Sequence, residues 1–444
     1  MDSRQETLAS SRREFIKGGV VAGGALAAAA MMHKAHAAGG DTIRVGWIGC
    51  GGRGTGAASQ ALMADKNIKL VAMGDTFKDR LSTHLDALKD ELEKQAGKAK
   101  DDVKFDPAAK IDCPPERQFI GFDAYKKVID SGVDVVLLTT PPHFRPEHLK
   151  YAIAQGKHVF AEKPVAVDGP GIRSVIETCA EAKRKKLSIV SGLCWRYDDK
   201  GTGALAKHLQ DGGVGQILAV QTCYNTQGLW NFPRKEAWSD MEFQLRNWLY
   251  FTWLSGDHIV EQNVHNLDRV AWYLKDEYPI KVTSLGGRQS RTDPEFGHIY
   301  DHFATVFEYA SGAKCFNYCR QQPGTDPQNG DWIYGTKGTA VWDWGKGYVK
   351  GERPAEFIGN LNHAYQREHN VLMAAVRKGE PVNNGEYMIK STMMGIIGRM
   401  AAYTGKALTW EQAMNSKEDL APKSYEWGKM AFPNVAKPGV TMFS

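Results

Sequence analysis

The sequence predicts an α/β fold in two parts: a doubly wound parallel sheet, then an α+β domain on a mostly antiparallel sheet. Three observations carry this. Apolar strand patterns alternate with helical ones from Asp41 to about Tyr197. A glycine-rich turn joins the first strand to the first helix. Past about Arg196 strand patterns dominate and the alternation stops.

The first strand is the apolar, β-prone run Ile43-Arg44-Val45-Gly46-Trp47-Ile48. The turn Gly49-Cys50-Gly51-Gly52-Arg53-Gly54 follows with the spacing G-x-G-x-x-G, and residues 55–63 are small and helix-compatible. A second strand over 68–74 ends at Asp75, 21 residues past Gly54. Glycines let the backbone approach a pyrophosphate, and free N–H groups at a helix start bind its charge. An acid near this position bonds a ribose 2′-hydroxyl. Gly49, Gly51, Gly52, Arg53, Gly54 and Asp75 are therefore expected to hold a dinucleotide, in a Rossmann domain spanning 41–197. An acid at Asp75 repels a 2′-phosphate, so NAD is expected ahead of NADP.

Residues 78–115 are charged, contain Pro114-Pro115, and read as an insertion before a strand at 118–120. An apolar strand over 133–140 ends in Pro141-Pro142-His143, with a helix near 147–155 behind it. The short strand 158–161 ends in Glu162-Lys163-Pro164. A helix over 169–184 leads to a strand over 187–193. The second domain, 198–444, shows strands near 216–222, 281–285, 303–309, 313–318 and 338–342, and helices near 260–274 and 364–377.

The first 37 residues read as an export leader. Ser11-Arg12-Arg13-Glu14-Phe15-Ile16-Lys17 resembles a twin-arginine signal, residues 18–32 are uncharged and mildly apolar, and Ala35-His36-Ala37 fits a small-residue cleavage site. The apolar run is too short for a comfortable span. That route carries folded proteins, so a periplasmic or otherwise exported protein with its cofactor already bound is expected. The formal net charge of +5 over 444 residues argues against a nucleic-acid or membrane-surface role. Seven scattered cysteines, odd in number, argue against an extensive disulfide framework, and Cys315 and Cys319 read as structural.

Glu162-Lys163-Pro164 at a strand end, Thr140-Pro141-Pro142-His143, Gly156-Lys157-His158-Val159 and a later acid-x-x-x-His helix resemble the glucose–fructose oxidoreductase / inositol dehydrogenase / rhizopine-catabolism (Gfo/Idh/MocA) family. The family's motif D-x-G-x-H-x-x-D appears as Glu261-Gln262-Asn263-Val264-His265-Asn266-Leu267-Asp268, with glutamate for the first aspartate and asparagine for glycine. The resemblance implies a nicotinamide oxidoreductase acting on a carbohydrate or polyol. It also adds Thr140, Pro141, His143, Glu162 and Lys163 to the cofactor site.

Oxidising a sugar hydroxyl removes a proton while a hydride leaves the same carbon. Lys163, at a strand end, can bond the reacting oxygen. His265 is the candidate proton acceptor because histidine titrates near neutrality. Glu261, four residues earlier, shares its helix face and can orient the imidazole or meet a substrate hydroxyl. Arg196 and Tyr197 at the domain entry, and Arg246, Asn247 and Trp248 in a tryptophan-rich stretch, are candidate sugar contacts. Trp230, Trp238, Trp253 and Arg234 share that stretch, and Tyr300, Asp301 and His302 are weaker candidates. His258, Glu261 and His265 share a face, but no cysteine cluster or acidic partner supports a metal, and none is expected. A homo-oligomer is expected from the second domain's sheet. The alternative chemistry on this fold is an NAD-dependent glycosidase, which oxidises transiently, eliminates and returns the hydride.

Overall fold

The computed structural model describes residues 41–98 and 105–444. The expected leader at 1–37 lies outside the described residues.

Six parallel strands form the first sheet: β1 (Ile43–Ile48), β2 (Ile68–Asp75), β3 (Gln118–Ile120), β4 (Val135–Leu138), β5 (His158–Ala161) and β6 (Ile189–Ser191), in the order β3-β2-β1-β4-β5-β6. Helices cover both faces, so β1 and β4 read as near-continuous apolar runs. The order reverses between β1 and β4. A ligand cleft opens at such a switch point, outside the carboxyl ends of the strands.

The stretch read as an insertion is mainly the crossover helix Lys78–Lys98. Leu81, Leu85, Leu88 and Leu92 make a buried stripe along it, hidden in the sequence by the surrounding charge.

The second sheet has nine strands: β7 (Ile217–Thr226), β8 (Lys281–Gly287), β9 (His302–Glu308), β10 (Lys314–Gln321), β11 (Gln328–Gly335), β12 (Gly338–Asp343), β13 (Lys346–Gly351), β14 (Ala355–Ile358) and β15 (Leu408–Thr409). Only the β7–β10 pair is parallel; the rest are antiparallel. Helix Gly385–Thr404 packs beneath it, buried almost all round. A helix apolar on every side has no polar face to give it a period, which is why the sequence did not show it.

The two domains are not cleanly split at residue 197. Helix Leu361–Lys378 returns to the first domain, and its Ala364, Leu372, Met373 and Val376 share a core with Val45 and Trp47. All seven cysteines are buried and free. No helix among the described residues is long and apolar enough to cross a membrane.

Candidate active site

The switch-point cleft encloses a cavity of about 640 Å³, within the range of small-molecule and cofactor sites. Its floor is the glycine turn. Gly49 takes φ +92°, a conformation L side chains rarely adopt. A Cβ on Gly54 would sit 2.4 Å from the Gly49 carbonyl oxygen, so only glycine fits. Gly51 and Gly52 differ: a Cβ on either meets nothing within 4 Å. They face open cleft at the start of helix Gly52–Met63, which has no side-chain cap. Uncapped N–H groups beside a space free of side chains suit a pyrophosphate.

Asp75 ends β2 at the rim. Its carboxylate accepts from the Cys50 N–H at 2.7 Å and the Phe77 N–H at 2.9 Å. Burial nevertheless raises its pKa. These bonds leave lone pairs for a ribose hydroxyl. The residues present therefore fit NAD.

Arg53 forms an ion pair with Glu162, Nε to Oε1 2.5 Å, and donates from Nη2 to Glu368 Oε1 at 2.9 Å. Its guanidinium carbon lies 4.6 Å from the Tyr365 ring centre. Glu162 and Glu368 are buried, and burial raises the Glu368 pKa well above the carboxylate range. One arginine thus bridges two buried acids from two domains.

Lys163 follows Glu162 at the end of β5. Its Nζ donates to the Glu261 carbonyl at 2.6 Å and to Glu261 Oε1 at 3.0 Å. Glu261 therefore holds Lys163 rather than His265. The single helix expected over 260–274 is broken into His258–Glu261 and Val264–Tyr273. His265 lines the cavity, and its buried Nδ1 has no hydrogen-bond partner. Burial, then the charges of Lys163, Arg269 and Arg53, hold its pKa well below the usual histidine value. The near-neutral titration expected of it is thus displaced, and the imidazole is neutral at pH 7.

Gly49, Gly51, Gly52, Arg53, Gly54, Asp75, Thr140, Pro141, Glu162, Lys163, Trp248, Glu261 and His265 all line this cavity. Several expected residues do not. His143 turns away: its Nε2 lies 2.7 Å from the Tyr425 hydroxyl, and burial lowers its pKa to about 4. Arg196 is locked to Asp268 and Asp276 at 2.9 and 2.6 Å. The Tyr197 hydroxyl bonds Asn384 at 2.5 Å. Arg246 pairs with Asp79 and Glu242, and buried Asn247 holds the Phe232 backbone. The Tyr300 hydroxyl bonds the Ala436 carbonyl, and Asp301 accepts backbone N–H groups from 289–291. His258 is buried against Asp257.

Arg145 and His148 also line the cavity and were not anticipated. Arg145 is buried, donates from Nη1 to the Pro164 carbonyl at 2.5 Å, and leaves Nε unpartnered. Burial lowers its pKa to about 10. It braces the turn that carries Lys163. It opens the helix Arg145–Ala154, seven residues past the end of β4.

A nucleotide fold with a lysine at the β5 end defines a class, the NAD-binding oxidoreductases of Rossmann type. Residues 43–190 match the family model "Oxidoreductase family, NAD-binding Rossmann fold" (GFO_IDH_MocA), and residues 202–341 match the "GFO/IDH/MocA C-terminal domain". Together these span about two thirds of the chain. The chain belongs to the Gfo/Idh/MocA family. It is 28% identical over 325 residues to 2,7-anhydro-N-acetylneuraminate hydratase of Escherichia coli (71% of this chain, 77% of that protein). It is 28% identical over 274 residues to inositol 2-dehydrogenase of Serratia proteamaculans (62% of this chain, 66% of that protein). Among solved structures, aldose-aldose oxidoreductase from Caulobacter crescentus shares the fold at TM-score 0.62 and 19% identity, over 83% of this chain and 99% of that one. Levoglucosan dehydrogenase in complex with NADH and levoglucosan does so at 0.62 and 16%, over 83% and 99%.

Proposed function

We propose that this protein oxidises a hydroxyl of a sugar or polyol, passing the hydride to an NAD that stays bound. The observation that carries the reading is that Lys163, held by Glu261, and neutral His265 line one cavity. NAD, when bound, supplies the hydride acceptor. Lys163 donates to the reacting oxygen and stabilises negative charge as the carbon–hydrogen bond breaks. His265 accepts the hydroxyl proton. Glu261 keeps the ammonium aimed into the cleft. The experiment is Lys163→Ala assayed for hydride transfer on a sugar and polyol panel; full retained activity refutes the assignment.

A second reading has its own support, since one relative is named a hydratase, a reaction without net redox change. In that reading NAD, when bound, would supply a transient oxidation with no net redox change, and Lys163 and His265 would handle the protons of the elimination. Turnover of a glycosidic or anhydro sugar with no added cofactor, and no net change in NAD redox state, favours it over simple dehydrogenation.

The proposal includes twin-arginine export, supported by the pattern at residues 11–17, and folding before export, consistent with seven buried free thiols. Away from a soluble cofactor pool, a second substrate, or the first one again, would have to take up the hydride. Self-association through the outer face of the second sheet is part of the proposal. Leu285, Tyr318, Tyr334 and Tyr348 stand exposed on that face.

A further inference from the structure

The end of the cleft nearest Asp75 is covered by chain that the nucleotide fold does not itself require. After β7, residues 229–254 cross to the first domain, and Trp230, Phe232, Leu245 and Trp248 line the cavity there. The crossing segment has its own core, including Met241, Phe243, Phe251 and Trp253, and Phe77, Phe122 and Phe144 of the first domain pack against it. Phe77 lies two residues past Asp75, and Phe122 lies two past the end of β3; both line the cavity.

Arg246 ties this segment down. It donates from Nη1 and Nη2 to the two carboxylate oxygens of Asp79, at 3.0 and 3.1 Å. Its guanidinium carbon stands 4.1 Å from the Phe77 ring centre, and Glu242 holds Nε at 2.8 Å. The C-terminal tail lies over the same place. Trp427 sits 5.6 Å from Phe77 and 5.0 Å from Phe122 between ring centres, and the Met430 N–H bonds Asp240 at 3.1 Å. Three remote parts of the chain thus meet on two aromatic rings beside the expected ribose acid.

We propose that residues 229–254 and the tail around Trp427 form a clamp over the adenosine end of the cofactor, latched by Arg246 and Asp79, and that the clamp sets how slowly the dinucleotide leaves. The inference rests on the dinucleotide reading above. A bidentate arginine–carboxylate pair stacked on an aromatic ring has fixed geometry and resists opening more than a lone surface pair does. Opening must break that pair and part Trp427 from Phe77 and Phe122. Trp248, a candidate sugar contact, lies on this covering segment and lines the cavity.

The test loads the full chain with NADH, adds excess NAD, and follows the loss of bound-nicotinamide fluorescence. The wild type releases slowly. Arg246→Met and Asp79→Asn, on opposite sides of the latch, each speed release by about tenfold or more, and Trp427→Ala changes it in the same direction. The melting temperature of the unloaded protein stays near wild type in both latch variants, which separates clamp from fold. Release at the wild-type rate in both latch variants overturns the clamp and leaves the dinucleotide site standing. A wild type that takes up no NADH at all overturns the functional reading and the clamp together.

Discussion

Lys163 and Glu261 meet across the domain boundary, Nζ 3.0 Å from Oε1 and 2.6 Å from the Glu261 carbonyl, although 98 residues separate them. The first domain brings its ammonium at the end of β5, and the second brings its acceptor at the end of a short helix. The site exists only because the two domains are docked.

That contact makes Glu261 a positioning residue for Lys163. Lys163→Ala is expected to lower kcat by about 10²–10⁴-fold, the usual range for losing a proton-handling or charge-stabilising group. Glu261→Gln keeps the carbonyl contact and removes one charge-assisted bond, so a smaller loss of about 10–100-fold is expected. Steady-state rates of both variants with one active sugar check this; equal losses would contradict the hierarchy.

The glycine turn predicts opposite outcomes for neighbouring substitutions. Gly54→Ala forces a Cβ to 2.4 Å from the Gly49 carbonyl oxygen, so the unloaded protein should lose on the order of 1–3 kcal/mol of stability. Gly52→Ala points its Cβ into open cleft. It should melt like wild type and bind NADH about tenfold more weakly. Melting curves and NADH titrations together decide the matter.

Arg53 is the counter-ion of buried Glu162 and donates to buried Glu368, whose pKa burial raises well above the carboxylate range. Removing one partner of a buried pair leaves an uncompensated charge, at a cost of about 3–5 kcal/mol. Arg53→Met should therefore unfold at clearly lower denaturant, while Arg53→Met with Glu162→Gln recovers part of the loss. A single variant as stable as wild type would contradict the network.

Acid should destabilise the protein through its buried histidines. Burial lowers the pKa of His148 to about 3 and of His298 to about 4. A depressed histidine pKa means the unfolded chain binds more protons, so stability falls as pH drops below about 6.5. At pH 5 each of the two would cost about 2 kcal/mol. His265 shifts the same way. Melting temperatures should decline steadily from pH 7 to pH 5, and a flat profile would contradict the buried neutral state.

The first sheet was legible because a parallel sheet covered on both faces writes long apolar runs and puts its chemistry at strand ends. Asp75, Glu162 and Lys163 were visible for that reason. Arg196 was misplaced because its partners Asp268 and Asp276 lie 72 and 80 residues away, and no local pattern announces such a pair. Arg246 and Trp248 were read as sugar contacts from residue type alone. The Arg246 side chain is taken up by Asp79 and Phe77, more than 160 residues away in sequence, whereas Trp248 does line the cavity. The break after Glu261 was hidden because both short helices continue one apolar pattern. Arg145 looked like the start of an ordinary crossover helix.

The central claim is that this cleft holds NAD. It is tested most directly by denaturing the purified protein and measuring the mass and absorbance of whatever small molecule is released. The account predicts NAD or NADH, close to one per chain. No dinucleotide released, together with no uptake when NAD is offered, would contradict it.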